Sequence, residues 1–137
     1  MDGLCEPVNP GGIGTYGYVV MDDTGTVIVR RSGFVGRGPA ISNNVAEYAA
    51  LCEALRFLIQ SSLTNQPIEV RSDSRLVVNQ MRGEWKFRKG RYAQKYREAK
   101  EMTGKFGKIR FKWVPREQNK EADALSREAY RGANAFR

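Results

Sequence analysis

The sequence predicts an α/β fold, a mixed β-sheet with helices packed against it. Three observations carry this. Two runs of β-branched and aromatic residues, 16–21 and 26–35, flank the turn composition Asp22-Asp23-Thr24-Gly25, which reads as a pair of antiparallel strands. From Val45 onward apolar residues recur every three or four positions, the period of an amphipathic helix. Further along, strand-like and helix-like segments alternate, the order that gives a sheet covered by helices.

Each element has its own justification. The first helix follows from Val45, Tyr48, Leu51, Cys52, Leu55, Leu58 and Ile59, with Ser42, Asn43 or Asn44 as its cap, because such side chains accept a hydrogen bond from an orphan backbone N–H. Residues 68–72 form a short buried-type strand. Asp73 or Ser74 caps a second helix to about Met81, stopped by Gly83, and Gly90 precedes a third from about Tyr92 to Thr103. Ile109, Phe111 and Trp113 alternate with Arg110, Lys112 and Val114, so 108–114 is a strand, closed by Pro115. A last helix begins near Asn119 with Ala122, Leu125 and Ala129 facing inward. No repeat or linker interrupts the 137 residues, so one domain spanning 1–137 is expected.

The hydrophobic fraction of 41%, with 6 Phe, 6 Tyr and 2 Trp, supplies an ordinary core. The absence of histidine removes Ser-His-Asp and Cys-His catalysis, the HExxH zinc site and any imidazole base. Catalysis must then run on carboxylates, Lys, Arg, Tyr or a metal. Cys5 and Cys52 are distant and lack CxxC partners, so free thiols are expected rather than a zinc or redox site. No run approaches the roughly 18 apolar residues of a membrane span, and the N-terminus has no signal-peptide pattern. A soluble, cytoplasmic, monomeric protein without membrane contact is expected.

The net charge of +8 is unevenly placed. Between Arg82 and Arg116 there are 13 basic and 3 acidic residues, a net of +10 that leaves −2 for the remainder. These cations are interleaved with Trp85, Phe87, Tyr92 and Tyr96, the composition of a surface that follows phosphates and offers rings to sugars or bases. A polyanionic partner is favoured over a merely solvated basic face. One motif is misleading: Gly12, Gly14 and Gly17 satisfy GxGxxG, but strand-like residues follow where a dinucleotide site requires a helix N-terminus. Those glycines are read instead as a turn and close strand packing.

Four acids sit at junctions between elements: Asp2 at the head of the chain, Glu47 in the first turn of the long helix, Asp73 at the end of IEVRSD, and Asp123 one turn into the last helix. Singly, each has a structural reading as turn former, helix-dipole partner, cap or solvated carboxylate. Jointly they point to one edge of an α/β sheet, where strand ends and helix starts gather. Clustered anions need cations, and hard oxygen donors without His or Cys select Mg²⁺ or Mn²⁺. Two such ions activate a water and stabilise the leaving oxygen of a phosphodiester, which beside a basic aromatic surface describes a nuclease.

The blocks DGLCEPVNPGG (2–12), SNNVAEYAAL (42–51), VRSDSRLVVNQM (70–81) and WVPREQNKEADAL (113–125) resemble, in order and spacing, those of the type 1 ribonuclease H family, in particular its histidine-free, archaeal-like members. The resemblance covers nearly the whole chain. It implies the ribonuclease H-like fold, a five-stranded mixed sheet with three antiparallel and two parallel strands, flanked by helices. It implies an endonuclease that cuts the RNA strand of RNA/DNA hybrids and leaves 5′-phosphate and 3′-hydroxyl ends. Asp2 would bridge two Mg²⁺ ions, Asp123 would hold the one that activates water, and Glu47 and Asp73 the other. Asn9, Asn43 and Asn44 match positions that contact the RNA backbone and 2′-hydroxyls, and Ser42 one that grips a DNA phosphate. An amide side chain both donates and accepts, as a 2′-hydroxyl does.

Several positions depart from the family pattern. Arg116 stands in the loop where many members carry a mobile His, and a guanidinium cannot take up a proton at neutral pH, so its role would be electrostatic. Arg75 replaces a frequent Gln at a minor-groove contact. The region after the second helix is short beside members with a long basic handle; Trp85, Lys86, Arg88, Lys89 and Arg91 are read as doing part of that work, with Trp85 near a DNA-contacting aromatic. Only Met1 precedes the first acid, so a central strand shortened to about 1–5 is expected to pair poorly and to bring the terminal ammonium beside Asp2. Two alternatives to a hybrid nuclease remain at this level: a relative that cuts double-stranded RNA, and a catalytically weak hybrid- or duplex-RNA-binding module of the same fold.

Overall fold

The computed structural model describes residues 1–135. Its strands are β1 (Asp2–Glu6), β2 (Gly11–Met21), β3 (Val27–Gly38), β4 (Ile68–Ser72) and β5 (Ile109–Trp113); its helices are α1 (Asn43–Gln60), α2 (Arg75–Met81), α3 (Ala93–Thr103) and α4 (Lys120–Ala135). A single 3-10 turn, Arg116–Gln118, joins β5 to α4. This is the α/β architecture expected, with three antiparallel and two parallel strands. None of the described helices is long and apolar enough to cross a membrane.

Three details differ from expectation. β2 begins at Gly11, five residues earlier than its β-branched run, and β3 continues to Gly38. The glycine-rich stretch is strand because β3 pairs along it as far as Gly11 opposite Gly38. The expected poor pairing of β1 holds on one side only: all five of its residues pair with β2, from Asp2 opposite Gly17 to Glu6 opposite Ile13. Its other side is where the sheet thins, since β1–β2–β3 and β4–β5 are two hydrogen-bonded ladders. The Met1 ammonium donates to the Arg71 carbonyl at 3.0 Å. The next acceptors that would extend a parallel β1–β4 ladder, the Met1 and Asp73 carbonyls, receive Asn119 Nδ2 at 2.9 Å and Trp113 Nε1 at 3.1 Å instead.

The cap alternatives resolve clearly. Ser42 Oγ accepts from the Val45 N–H and Ser74 Oγ from the Val77 N–H, both at 3.2 Å, which leaves Asn43, Asn44 and Asp73 free of capping duty. The core lies between the sheet and α1, α2 and α3, where Tyr48, Leu51, Leu55, Val77 and Val78 are fully buried. Helix α4 covers the first three strands, with Ala122 and Ser126 buried and Leu125 and Ala129 half-buried. Thr15 Oγ1 donates to the Ser126 carbonyl at 2.7 Å and pins that helix to β2.

Two glycines set how closely the helices lie. A β-carbon at Gly3 would overlap the backbone of Ala46 and Glu47 in α1, and one at Gly17 would sit 2.5 Å from the Ala122 carbonyl oxygen of α4. Gly3→Ala is therefore expected to destabilise the protein by about 1–3 kcal/mol, the usual cost of overpacking. Gly132→Ala, whose β-carbon meets nothing within 4 Å on α4, is expected to be neutral or to stabilise by up to about 1 kcal/mol. Denaturant melts of both variants check this; equal midpoints for Gly3→Ala and wild type would remove the packing argument.

Candidate active site

The close approach at Gly3 brings Glu47 of α1 beside Asp2 of β1, and the approach at Gly17 brings the first turn of α4, with Asp123, to the same place. Asp73 follows the last residue of β4. All four carboxylates line one cleft of about 330 Å³. Asn9, Asn43 and Arg116 line it too, so seven of the residues singled out from sequence converge. A larger open groove of about 840 Å³ borders β5, but its only acids, Glu69 and Glu84, are each paired with arginine, so the smaller cleft is the candidate site.

Each acid has a partner that fixes it. Ser126 Oγ lies 2.9 Å from Asp2 Oδ2, Asn119 Nδ2 donates to Asp73 Oδ1 at 3.1 Å, and Arg127 Nε meets Asp123 Oδ2 at 3.3 Å. The Ser74 hydroxyl stabilises the ionised form of Glu47. Arg127 also reaches Glu6, a fifth carboxylate in the cleft, at 3.4 Å. Sequence reasoning missed Ser126, Asn119, Arg127 and Glu6. The signal for two of them was present: Ser126 and Arg127 follow Asp123 by three and four residues, one helical turn.

Burial pushes the Asp2 carboxyl up to about 6 against the Ser126 hydrogen bond, with the Asp73 and Asp123 charges adding to the rise. Burial likewise pushes Glu47 up to about 7 against Ser74, with Asp2 and Asp73 adding. The buried Met1 ammonium is lowered to about 6 although Asp2 and Asp73 oppose this. Among the described residues no three acidic, Cys or His side chains are drawn tightly enough together to hold an ion as they stand; the acids face a common space from its walls. Their all-oxygen donor set and surplus negative charge suit hard divalent cations.

Not every expected residue reaches the cleft. The Ser42 hydroxyl caps α1, and Asn44 is half-buried at the second position of that helix, outside the cleft lining. Asn9 Oδ1 accepts the Asn43 backbone N–H at 2.8 Å and leaves its amide donors free. Arg75 stacks its guanidinium 4.5 Å over the Trp113 ring. Trp85 and Lys86 are exposed on the segment after α2, away from the carboxylates. Arg116 is exposed and forms no ion pair among the described residues. Cys5 and Cys52 are both free and buried.

A family profile described as reverse transcriptase-like matches residues 1–129. Among curated proteins, the chain is 37% identical over 122 residues to the bifunctional protein Rv2228c of Mycobacterium tuberculosis, covering 88% of this chain and 32% of that one. It is 34% identical over 121 residues to ribonuclease HI of Halobacterium salinarum, covering 88% of this chain and 58% of that one. The chain thus spans about a third to somewhat over half the length of these relatives. Among solved structures, LC11-RNase H1 in complex with an RNA/DNA hybrid superposes with a TM-score of 0.87 at 32% identity, covering 96% of this chain and 94% of that one.

The raised acids have a measurable consequence in the metal-free protein. A carboxyl with a folded pKa above its unfolded value binds more protons folded than unfolded in that window, so its contribution to stability falls as pH rises. For Asp2 the window runs from about 4 to about 6, and for Glu47 from about 4.5 to about 7. The lowered Met1 ammonium works oppositely between about 6 and 8. Calorimetry in EDTA between pH 4.5 and 7 is expected to show stability falling less steeply in Glu47→Gln than in wild type. Identical slopes would exclude a strained Glu47 carboxylate.

Proposed function

The chain belongs to the type 1 ribonuclease H family, and from that membership we propose that it hydrolyses the RNA strand of RNA/DNA hybrids. The observation that carries the proposal is the cleft: carboxylates from β1, α1, α4 and the end of β4 face one space together with Asn9, Asn43 and Arg116. The hybrid bound to the similar LC11-RNase H1 supports the choice of substrate.

Asp2, Glu47, Asp73 and Asp123 would hold two Mg²⁺ ions, or Mn²⁺ in their place. When bound, such cations supply a water acidic enough to attack at neutral pH and stabilise charge on the leaving oxygen. The chain's other residues bind and orient. Asn9, whose Oδ1 accepts the Asn43 backbone N–H, offers its two amide donors to a 2′-hydroxyl or phosphate, and Asn43 and Asn44 would add theirs from the start of α1. Ser42 uses its oxygen as an acceptor for the cap, so its hydroxyl proton remains available to a phosphate. Arg116 puts a permanent charge at the cleft and acts on the phosphate electrostatically, not as a proton carrier. Arg75, Trp85 and Lys86 would contact the hybrid outside the cleft. Two buried free thiols suit a reducing compartment, and we extend the proposal to a cytoplasmic, monomeric enzyme.

The deciding experiment follows an end-labelled RNA strand in an RNA/DNA hybrid, with Mg²⁺ or EDTA, for wild type and Asp73→Asn. Cutting that needs the metal and vanishes in the variant is expected. Hybrid binding without cutting in either Mg²⁺ or Mn²⁺ would favour a binding module, and equal cutting of an RNA duplex would broaden the substrate class.

A second expectation concerns the basic segment. Trp85→Ala and Lys86→Ala should raise KM with kcat nearly unchanged, and Lys86→Ala should reduce the salt slope of binding by about one. Unchanged KM in both variants would move the binding surface elsewhere.

A further inference from the structure

Between α2 and α3 the chain runs from Arg82 to Tyr92 without regular secondary structure, yet it is held at several points. The Asn79 carbonyl accepts the Glu84 and Trp85 N–H groups at 2.9 and 3.1 Å. Phe87 stacks on Tyr96 at 4.5 Å, and Arg91 Nε donates to the Pro39 carbonyl at 2.7 Å. Beneath this strap lies Gln80, only 2% exposed and the most buried amide side chain among the described residues. Its Oε1 accepts the Tyr48 hydroxyl at 2.6 Å, and its Nε2 donates to the Tyr92 hydroxyl at 3.0 Å and, more weakly, to the Lys86 carbonyl at 3.4 Å.

An amide is a costly group to bury, and an apolar residue of similar size would fill the same space. What the amide adds is direction. Apolar contacts let a loop slide, whereas hydrogen bonds fix the backbone at Lys86 in one register, with the Trp85 and Lys86 side chains directed to solvent. Gln80 also sits near the C-terminal end of α2, whose N-terminal end follows Asp73 and Ser74. That seven-residue helix is about 10 Å long, so one rigid element separates a catalytic carboxylate from the strap's anchor.

We propose that Gln80 is a positioning residue for substrate grip, a buried polar joint that holds the strap around Trp85 and Lys86 at a fixed offset from the carboxylate cleft. This rests on the reading of the strap as a hybrid-binding surface and names what orders it. A strap ordered before binding avoids the entropy of ordering a loop on the substrate, so loss of the joint weakens binding rather than chemistry.

The test compares wild type, Gln80→Met and Tyr92→Phe in three measurements: KM and kcat on an RNA/DNA hybrid in Mg²⁺, hybrid affinity in EDTA by fluorescence anisotropy, and amide hydrogen exchange of residues 84–89. Gln80→Met should raise KM and the EDTA dissociation constant about five- to tenfold, keep kcat within about twofold, and speed exchange in the strap. Tyr92→Phe, which removes one hydroxyl partner, should move all three in the same direction by less, and it decides the matter if Gln80→Met does not fold. Unchanged KM and affinity, or a fall in kcat with KM constant, overturns the proposal. Wild type that fails to cut any hybrid defeats the nuclease reading itself, and the anisotropy and exchange measurements still judge the joint.

Discussion

The missing side chain at Gly3 is the constraint on which the cleft depends. With no β-carbon there, the backbone of α1 at Ala46 and Glu47 lies directly against β1, and residues adjacent in two different elements, Asp2 and Glu47, become neighbours. Gly17 makes the matching allowance on β2 for α4, which delivers Asp123 and Ser126. These contacts are backbone to side-chain-free backbone. They are therefore short and inflexible, and they hold anions at separations that their mutual repulsion would otherwise widen.

That repulsion is moderated locally. Ser126, Asn119 and Arg127 each orient one of the carboxylates Asp2, Asp73 and Asp123, and the Ser74 hydroxyl favours the ionised form of Glu47, even though the group as a whole carries surplus negative charge. Only Arg127 is a cation, and it is shared with Glu6. Burial pushes Asp2 and Glu47 upward, and the neighbouring carboxylate charges add to the rise. The site's all-oxygen donors and surplus negative charge suit hard divalent cations.

The basic half of the molecule is organised differently. Its cations are mostly exposed, and order comes from beneath, through the Tyr48, Tyr92 and Tyr96 rings with Phe87 and through the Gln80 amide. The carboxylate cleft and the basic segment thus rest on separate supports, glycine-mediated helix contacts for one and an aromatic-polar core for the other. Helix α2 links the two.

The sequence alone determined a good deal. Alternation marked β5 and three-to-four spacing marked α1 and the inner face of α4, while caps and glycine stops marked α2 and α3 and a short apolar run marked β4. Asp2, Glu47, Asp73 and Asp123 stood out because they occur at element ends, where an α/β sheet collects its functional groups, and the absence of histidine narrowed what they could do. The glycine-rich start of β2 was illegible, since residues without side chains carry no hydrophobic pattern. Whether Ser42, Asn43 or Asn44 caps α1 could not be told from three residues of equal capping ability; the backbone decided it. Asn119, Glu6 and Gln80, and the Asp2 contact of Ser126, acquire meaning through partners distant in the chain: Ser126 meets Asp2 across 124 positions and Asn119 meets Asp73 across 46. Such pairings leave no local periodicity. They are set by how closely helices settle on strands, and only the tertiary structure decides that.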